Sequence, residues 1–91
     1  MGQPQHPLSA ALPDTPAARH LGDLARGDER WSVYLETRPQ GQTVAGRIHF
    51  VADADRRSSA WILLEWSEQD VLNRFNEFSA VELWRLVESL G

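Results

Sequence analysis

The chain has 91 residues and a formal net charge of −4, and it contains no cysteine and no lysine. This length allows one small domain, while the missing cysteine excludes disulfides, thiolate nucleophiles and cysteine-based zinc sites. The missing lysine excludes Schiff-base catalysis and the lysine of a phosphate-binding loop. The acidic charge, the short apolar runs and the lack of a secretory signal predict a cytoplasmic protein that is not attracted to nucleic acid or to membranes.

Residues 1–28 differ in composition from the rest of the chain and predict a flexible N-terminal arm. Four of the five prolines lie in its first sixteen residues, and it contains none of the eight aromatic residues. A short helix over residues 16–26 is an option within the arm, because Pro16 suits a first helical position and Gly27 suits a helix end. Aromatic side chains supply much of a core's buried area, so residues 29–91 are expected to form a single small domain.

Three segments with alternating apolar and polar residues predict a three-stranded antiparallel meander: residues 31–38, 43–51 and 59–66. In the third strand, this alternation predicts that Leu64 faces the core and that Leu63 faces outward. Gly46 falls on the core side of the second strand, which predicts a bulge or a large neighbour such as a tryptophan. Residues 53–58 are predicted to form a polar hairpin loop, with Arg57 in solvent.

Two capping patterns predict two helices in the last third of the chain. Residues 67–70 resemble a capping box with aspartate at its last position, and residues 79–82 are a full capping box. Apolar residues at helical spacing follow each of them, which predicts that both helices pack on one sheet face. The expected fold is therefore an α+β domain with the order β-β-β-α-α and a mostly disordered N-terminal arm.

The outward sheet face and one side of the last helix are the predicted interaction surface. A domain of about 60 residues is marginally stable, and without disulfides or metals it usually needs oligomerisation. The aromatic residues also exceed what one sheet face can bury, which predicts that the outward face is covered by a protein partner, most simply a second copy, or by the N-terminal arm. The leading hypothesis is a non-catalytic interaction module that forms a homodimer. Its candidate interface residues are Tyr34, His49, Trp61, Leu63 and Trp84.

The same sheet face supports a second hypothesis, the binding of single-stranded nucleic acid. Tyr34 and Trp61, interleaved with Arg47, have the composition of a surface that stacks unpaired bases. The strand order and this face are similar in outline to the repeats of the single-strand-binding PUR and Whirly proteins, which have four strands before the helix. No motif of those families matches, so the resemblance assigns no residue, and the acidic net charge favours a protein partner.

A third hypothesis is a ligand-binding site or an enzyme around His49, the single histidine of the predicted domain. A general base needs a carboxylate to orient it, and Glu36 and Glu65 are both predicted on the same outward face. No nucleophile motif, metal-ligand pair or glycine-rich phosphate loop accompanies this histidine. The sequence therefore predicts no catalytic residue, no metal and no cofactor.

Overall fold

Five antiparallel strands and two helices make up residues 18–91, the part of the chain that the computed structural model describes. The elements are β1 (Arg19–Arg26), β2 (Glu29–Gln40), β3 (Thr43–Ala52), β4 (Asp55–Ser58), β5 (Leu63–Glu65), α1 (Glu68–Phe75) and α2 (Ala80–Ser89). The first four strands form a meander in chain order, and β5 pairs further along the same edge of β3 as β4. The α+β class, the antiparallel sheet and the two helices are confirmed, whereas the predicted number of three strands is wrong.

The additional strand β1 lies where the sequence predicts an arm with a short helix. It pairs with β2, and its Leu24 is opposite Trp31 with only 6% of its surface exposed. Pairing satisfies backbone groups and buries Leu24, whereas an isolated helix of this length is marginal in water. The prediction of a short helix is therefore wrong for the described residues of the range 16–26. The sheet also begins before residue 29, where the sequence places the start of the domain. The rest of the predicted arm, residues 1–17, lies outside the described residues.

The predicted third strand is divided in two. A turn with Asp53 at φ 50° starts β4 inside the expected hairpin loop, and residues 59–62 then leave the strand. Ser59 holds this break against β3, because its backbone N–H donates to the Ile48 carbonyl at 2.9 Å. Its hydroxyl also accepts from the Ile48 N–H at 2.9 Å. Beyond the break, β5 resumes the pairing with residues 44–46.

This break reverses the predicted faces of β5. Leu63 is opposite Gly46 on the helix side and is 6% exposed, whereas Leu64 is opposite Ala45 and is 53% exposed. Because side chains alternate along a strand, a change of one residue in register exchanges its two faces. The predicted outward position of Leu63 is therefore wrong, and Leu64 faces outward instead.

Both helices pack on one face of the sheet. The core between the layers is built from apolar residues of the strands and of both helices: Leu24, Trp31, Val33, Leu35, Ile48, Phe50, Leu63, Val71, Phe75, Leu83, Trp84 and Val87. Helix α1 crosses β3 closely, since a Cβ atom at Gly46 would lie 2.6 Å from Cγ1 of Val71. The neighbour of Gly46 is therefore a valine of α1, not the expected tryptophan. No helix in the described part of the chain is long and apolar enough to cross a membrane.

Both helices begin at the predicted caps. The Ser67 hydroxyl accepts from the Asp70 backbone N–H at 3.0 Å at the start of α1. At the start of α2, the Ser79 hydroxyl accepts from the Glu82 N–H at 3.1 Å, and the Glu82 carboxylate accepts from the Ser79 N–H at 2.8 Å. These bonds satisfy backbone donors that a helix start leaves unpaired.

Two arginines of the sheet, Arg57 and Arg26, contact the end of α2. The guanidinium of Arg57 lies 4.7 Å from the centre of the Trp31 ring and donates to the Val87 carbonyl at 2.8 Å. Arg26 lies 4.0 Å from the centre of the Trp84 ring and pairs with a carboxylate of α2. Arg57 is thus packed rather than solvated, and Trp84, a predicted interface residue, is buried within its own chain.

Candidate functional site

A chain of hydrogen bonds crosses the outward sheet face from β4 to β2. Ser58 lies opposite His49, and Glu36 lies opposite Arg47, so three neighbouring strands bring these side chains together. Ser58 Oγ is 2.6 Å from Nδ1 of His49, and Nε2 of His49 is 2.8 Å from Oε1 of Glu36. The same oxygen accepts from Nε of Arg47 at 2.8 Å. His49 is only 1% exposed, so these four residues, the His49 network, satisfy its ring inside the protein.

Burial and neighbouring charges set the protonation of the His49 network. Burial lowers the pKa of His49 below its usual 6.5 and outweighs Glu36, which acts in the opposite direction. Burial raises the pKa of Glu36, but hydrogen bonds from Arg47 and His49 outweigh it and bring this pKa below the usual 4.5. At neutral pH the ring is therefore neutral and Glu36 is a carboxylate. The neutral ring donates from Nε2 to Glu36 and accepts the Ser58 hydroxyl at Nδ1.

Ser58, His49 and Glu36 have the serine–base–carboxylate order that activates serine nucleophiles. The hydroxyl faces an unprotonated ring nitrogen, and the carboxylate orients the ring from its other side. Sequence reasoning names Glu36 as a potential partner of His49, and the structure places the two in contact. Glu65, the other candidate, lies on the helix side of the sheet, where it pairs with Arg74 at 3.3 Å.

Ser58 is the member of the network that sequence reasoning misses. The sequence of residues 53–58 resembles a polar hairpin loop. A serine in a loop has no partner strand, so the sequence does not predict that Ser58 contacts His49. The available signal is the short turn at Asp53. Once that turn is recognised, the antiparallel register that sets Ala52 opposite Asp55 also sets Ser58 opposite His49.

The predicted nucleic-acid-binding residues are already engaged within the protein. Trp61 is half-buried, and the guanidinium groups of Arg38 and Arg47 lie 4.1 Å and 4.5 Å from its ring centre. Tyr34 contacts His20, with 5.1 Å between the ring centres. A base that stacked on Trp61 would have to displace an arginine that already lies over the ring.

The predicted interface residues do not form a shared exposed surface. His49, Leu63 and Trp84 are buried, and Tyr34 and Trp61 are half-buried. Large apolar side chains are exposed elsewhere, and in the described part of the chain they are Ile62, Leu64, Trp66 and Val81.

Strand β5 is an apolar edge of the sheet. Among the described residues it pairs with β3 alone, so its other side presents unpaired backbone groups. Ile62, Leu64 and Trp66 occupy alternate positions along and beside it, with 47%, 53% and 75% of their surfaces exposed. An exposed apolar edge of this kind is a site for pairing with another chain.

The other two outer strands of the sheet, β1 and β4, carry exposed ionisable side chains: Arg19, His20, Asp23, Arg26, Asp55 and Arg56. Charges along an edge oppose the addition of a further strand, because pairing would desolvate them or bring like charges together. Within residues 18–91, β5 is therefore the edge that best suits a partner strand.

A groove of about 340 Å³ lies next to β5, where the two helices meet. Its lining is partly apolar and partly charged, and comprises Ile62, Leu63, Arg74, Glu77, Phe78 and Glu82. This volume is at the lower end of the range of small-molecule pockets.

In the range 18–91, no three histidine, aspartate or glutamate side chains are grouped so that they would hold a metal ion. Comparison with protein-family models, with curated proteins and with solved structures finds no match to this chain. Because a fold by itself does not identify an activity, the function has to be inferred from the surfaces described above.

Proposed function

We propose that this chain is a protein-interaction module that forms a homodimer through the free edge of β5. The observation that carries this proposal is the exposure of Ile62, Leu64 and Trp66 along an edge strand that has no second partner among the described residues. Many native edge strands carry charges that oppose pairing, whereas the exposed side chains along and beside β5 are apolar. A partner strand would cover this apolar edge.

A second copy is the partner that this edge fits. Two identical strands in antiparallel pairing are self-complementary about a two-fold axis. Pairing would remove Leu64, Trp66 and the unpaired backbone groups from water together, and apolar burial contributes about 25 cal/mol per Å². The chain is small and has no cysteine, so it cannot be stabilised by disulfides. Burial of apolar surface in a dimer would supply stability that a small core does not provide alone.

Sedimentation equilibrium of the full chain tests this proposal. We expect a monomer–dimer equilibrium with a Kd in roughly the micromolar range, because so short an edge gives a small interface. Leu64→Lys places a charge at the centre of the edge and should give a folded monomer.

Ala25→Lys is the matched control for this experiment. Ala25 is exposed, but it lies on β1, at the opposite edge of the sheet from β5, so this variant should dimerise as the wild type does. A wild-type chain that remains monomeric at about one hundred times the expected Kd would overturn the proposal.

A second candidate function is serine-based hydrolysis, which the 2.6 Å contact between Ser58 Oγ and His49 Nδ1 favours. As Ser58 attacks, its proton would pass to His49, and Glu36 would stabilise the charged ring. Phenylmethylsulfonyl fluoride is a suitable probe, because attack by the hydroxyl forms an oxygen–sulfur bond and releases fluoride. Mass spectrometry should find one added sulfonyl group on the wild type and on Ser32→Ala, and none on Ser58→Ala. An unlabelled wild type removes this candidate.

The binding of single-stranded nucleic acid through Tyr34, Arg47 and Trp61 stays a hypothesis that no contact favours. Arginines lie over the Trp61 ring, and the net charge of the chain is −4. Titration of a labelled oligonucleotide at low salt tests it, because phosphate contacts are strongest there and weaken as salt is added. The absence of binding at low salt would exclude it.

A further inference from the structure

We infer that the outward sheet face binds an acidic segment of a partner protein, and that a carboxylate of this segment bridges Arg38 and Arg47. The guanidinium groups of these two residues, the arginine pair, lie 4.1 Å and 4.5 Å from the centre of the Trp61 ring. The arginine pair belongs to β2 and β3 and not to the free edge of β5, so this inference does not depend on the homodimer.

The arginine pair has more hydrogen-bond donors than the protein uses. Nε of Arg47 donates to Glu36 at 2.8 Å, whereas Arg38 is exposed and has no carboxylate partner among the described residues. Glu36 also contacts His49, so it does not neutralise both guanidinium groups. Each guanidinium carries five N–H donors in a rigid fork that matches a carboxylate. A further carboxylate would therefore meet free donors and a remaining positive charge.

Trp61 holds the two like charges side by side before any partner binds. Arg38 lies opposite Ala45, and Arg47 lies two residues further along β3, so both arginines project from the outward face. The electron-rich face of the indole offsets part of the repulsion between two neighbouring guanidinium groups. An anion would remove more of this repulsion. The arginines are already ordered by the ring, so they lose little freedom when the anion binds.

The net charge of −4 is distributed unevenly between the two sides of the sheet. Four arginines project from the outward side of the strands: Arg30, Arg38, Arg47 and Arg56. The acids of that side are Asp23, which lies 3.9 Å from Arg30, and the buried Glu36. The other acidic side chains of residues 18–91 lie in turns, in the helices or on the helix side of the strands. Charge complementarity therefore directs an acidic partner to the outward face.

An acidic protein segment suits this face better than a nucleic acid does. A nucleic acid presents a regular row of phosphates and is held by several basic contacts along it. Here the free positive charge is concentrated at the arginine pair, and Arg30 already has Asp23 beside it. A base would also have to displace an arginine to stack on Trp61, whereas a carboxylate needs only the guanidinium N–H groups and leaves the ring contacts in place.

A titration of the isotope-labelled full chain, followed by nuclear magnetic resonance, tests this inference. The probe is a blocked peptide of alternating glutamate and serine, added at low salt, and the control peptide has glutamine in place of glutamate. We expect the Nε–H signals of Arg38 and Arg47 to shift to saturation with the glutamate peptide. They should stay in place with the glutamine peptide, which lacks the carboxylates.

Arg38→Gln and Arg30→Gln separate a specific site from general attraction. Each removes one charge from an exposed arginine of the outward face, but only Arg38 lies at the Trp61 ring. Arg38→Gln should raise the Kd of the glutamate peptide about tenfold or more, the loss expected for charge-assisted hydrogen bonds. Arg30→Gln should change it by less than about threefold. Arg38 lies outside the His49 network, so the backbone amide signals of Arg38→Gln should show the wild-type fold.

Three results would overturn the inference. The absence of a saturable shift with the glutamate peptide would show that the outward face binds no carboxylate. Equal weakening in Arg38→Gln and Arg30→Gln would indicate attraction without a site at the arginine pair. Tighter binding of an oligothymidylate with the same charge as the peptide would identify a nucleic acid as the partner.

Discussion

His49 illustrates how a polar residue on the outward face of a sheet becomes buried. It lies on β3, between β2 and β4, and each of these neighbours supplies a partner for one ring nitrogen. Strand alternation assigns it to the outward face, where the sequence predicts a residue of an interface with a partner. Its burial depends on Ser58 and Glu36, which lie nine and thirteen residues away in the chain.

The buried neutral ring of His49 predicts that the protein loses stability in mild acid. The folded-state pKa lies below 6.5, so on acidification the unfolded chain takes up a proton that the folded chain does not. The free energy of unfolding should therefore decrease as the pH falls below about 6.5. Glu36, whose folded pKa is lowered, stabilises the fold above 4.5, and this contribution is lost as the pH falls through its folded pKa.

Urea denaturation at a series of pH values measures this effect. His49→Gln should flatten the first decrease, because it removes the group that takes up the proton. Asn73→Gln, at an exposed position of α1 that carries no ionisable group, should keep the wild-type profile. If His49→Gln also kept that profile, another group would be responsible for the acid sensitivity.

Gly46 is the position where α1 approaches the sheet most tightly. In Gly46→Ala, the added Cβ would lie 2.6 Å from Cγ1 of Val71, a fully buried and branched side chain that has little room to move. We expect a loss of about 1–3 kcal/mol in the free energy of unfolding, the usual cost of overpacking. Gly22→Ala is the control, because a Cβ there meets no atom within 4 Å. Equal losses in the two variants would contradict the close approach of α1.

At the scale of elements, the helices and the strands differ in how local their determinants are. Helix α2 begins at a cap whose two partners, Ser79 and Glu82, are three residues apart. The break between β4 and β5 determines which side chains of β5 face the core. Two hydrogen bonds between Ser59 and Ile48 of β3 stabilise this break. The first interaction is visible in a short window of sequence, whereas the second exists only after β3 and β4 have paired.

Removal of the α2 cap should destabilise the protein measurably. Ser79→Ala deletes the hydroxyl that accepts from the Glu82 N–H at 3.1 Å, and we expect a loss of about 1 kcal/mol. Ser89→Ala, in the last turn of the same helix, removes an exposed hydroxyl and should change stability by less than about 0.5 kcal/mol. Thermal unfolding followed by circular dichroism compares the two, and a Ser79→Ala variant as stable as Ser89→Ala would show that the cap contributes nothing.

At the scale of the whole molecule, β1 completes the sheet and the core. Leu24 reaches the core from β1, and Arg26 joins the same strand to α2 through Trp84. A segment that resembles a marginal helix is therefore a structural part of the domain, because the exposed edge of β2 offers it backbone partners and an apolar position to fill.

Two leucine variants test this role of β1. Leu24→Ala should lower the free energy of unfolding by about 2–4 kcal/mol, because it leaves a cavity in the core. Leu64→Ala makes the same change at an exposed position and should cost less than about 0.5 kcal/mol when measured on the monomer at low concentration. A Leu24→Ala variant as stable as Leu64→Ala would mean that β1 does not contribute to the core.

The candidate surfaces were predictable only in part from the sequence. Alternation is enough to place Tyr34 and His49 on the outward face, and it identifies Glu36 as a neighbour of that histidine. It fails at Leu63 and Leu64, because an unbroken strand over residues 59–66 has the opposite register. The sequence therefore does not predict the exposed apolar edge of β5, because it assigns Leu64 to the core face.

By itself, the sequence determined the α+β class, the two capped helices and the core face of β2, because these depend on neighbours within a few residues. The tertiary structure alone decided that residues 19–26 form a strand, that the third predicted strand is broken, and that Ser58 meets His49. It also decided which edge of the sheet is apolar. Strand pairing joins residues far apart in the chain, and a shift of one position in register exchanges buried and exposed faces, so a pattern read along the chain does not contain that information.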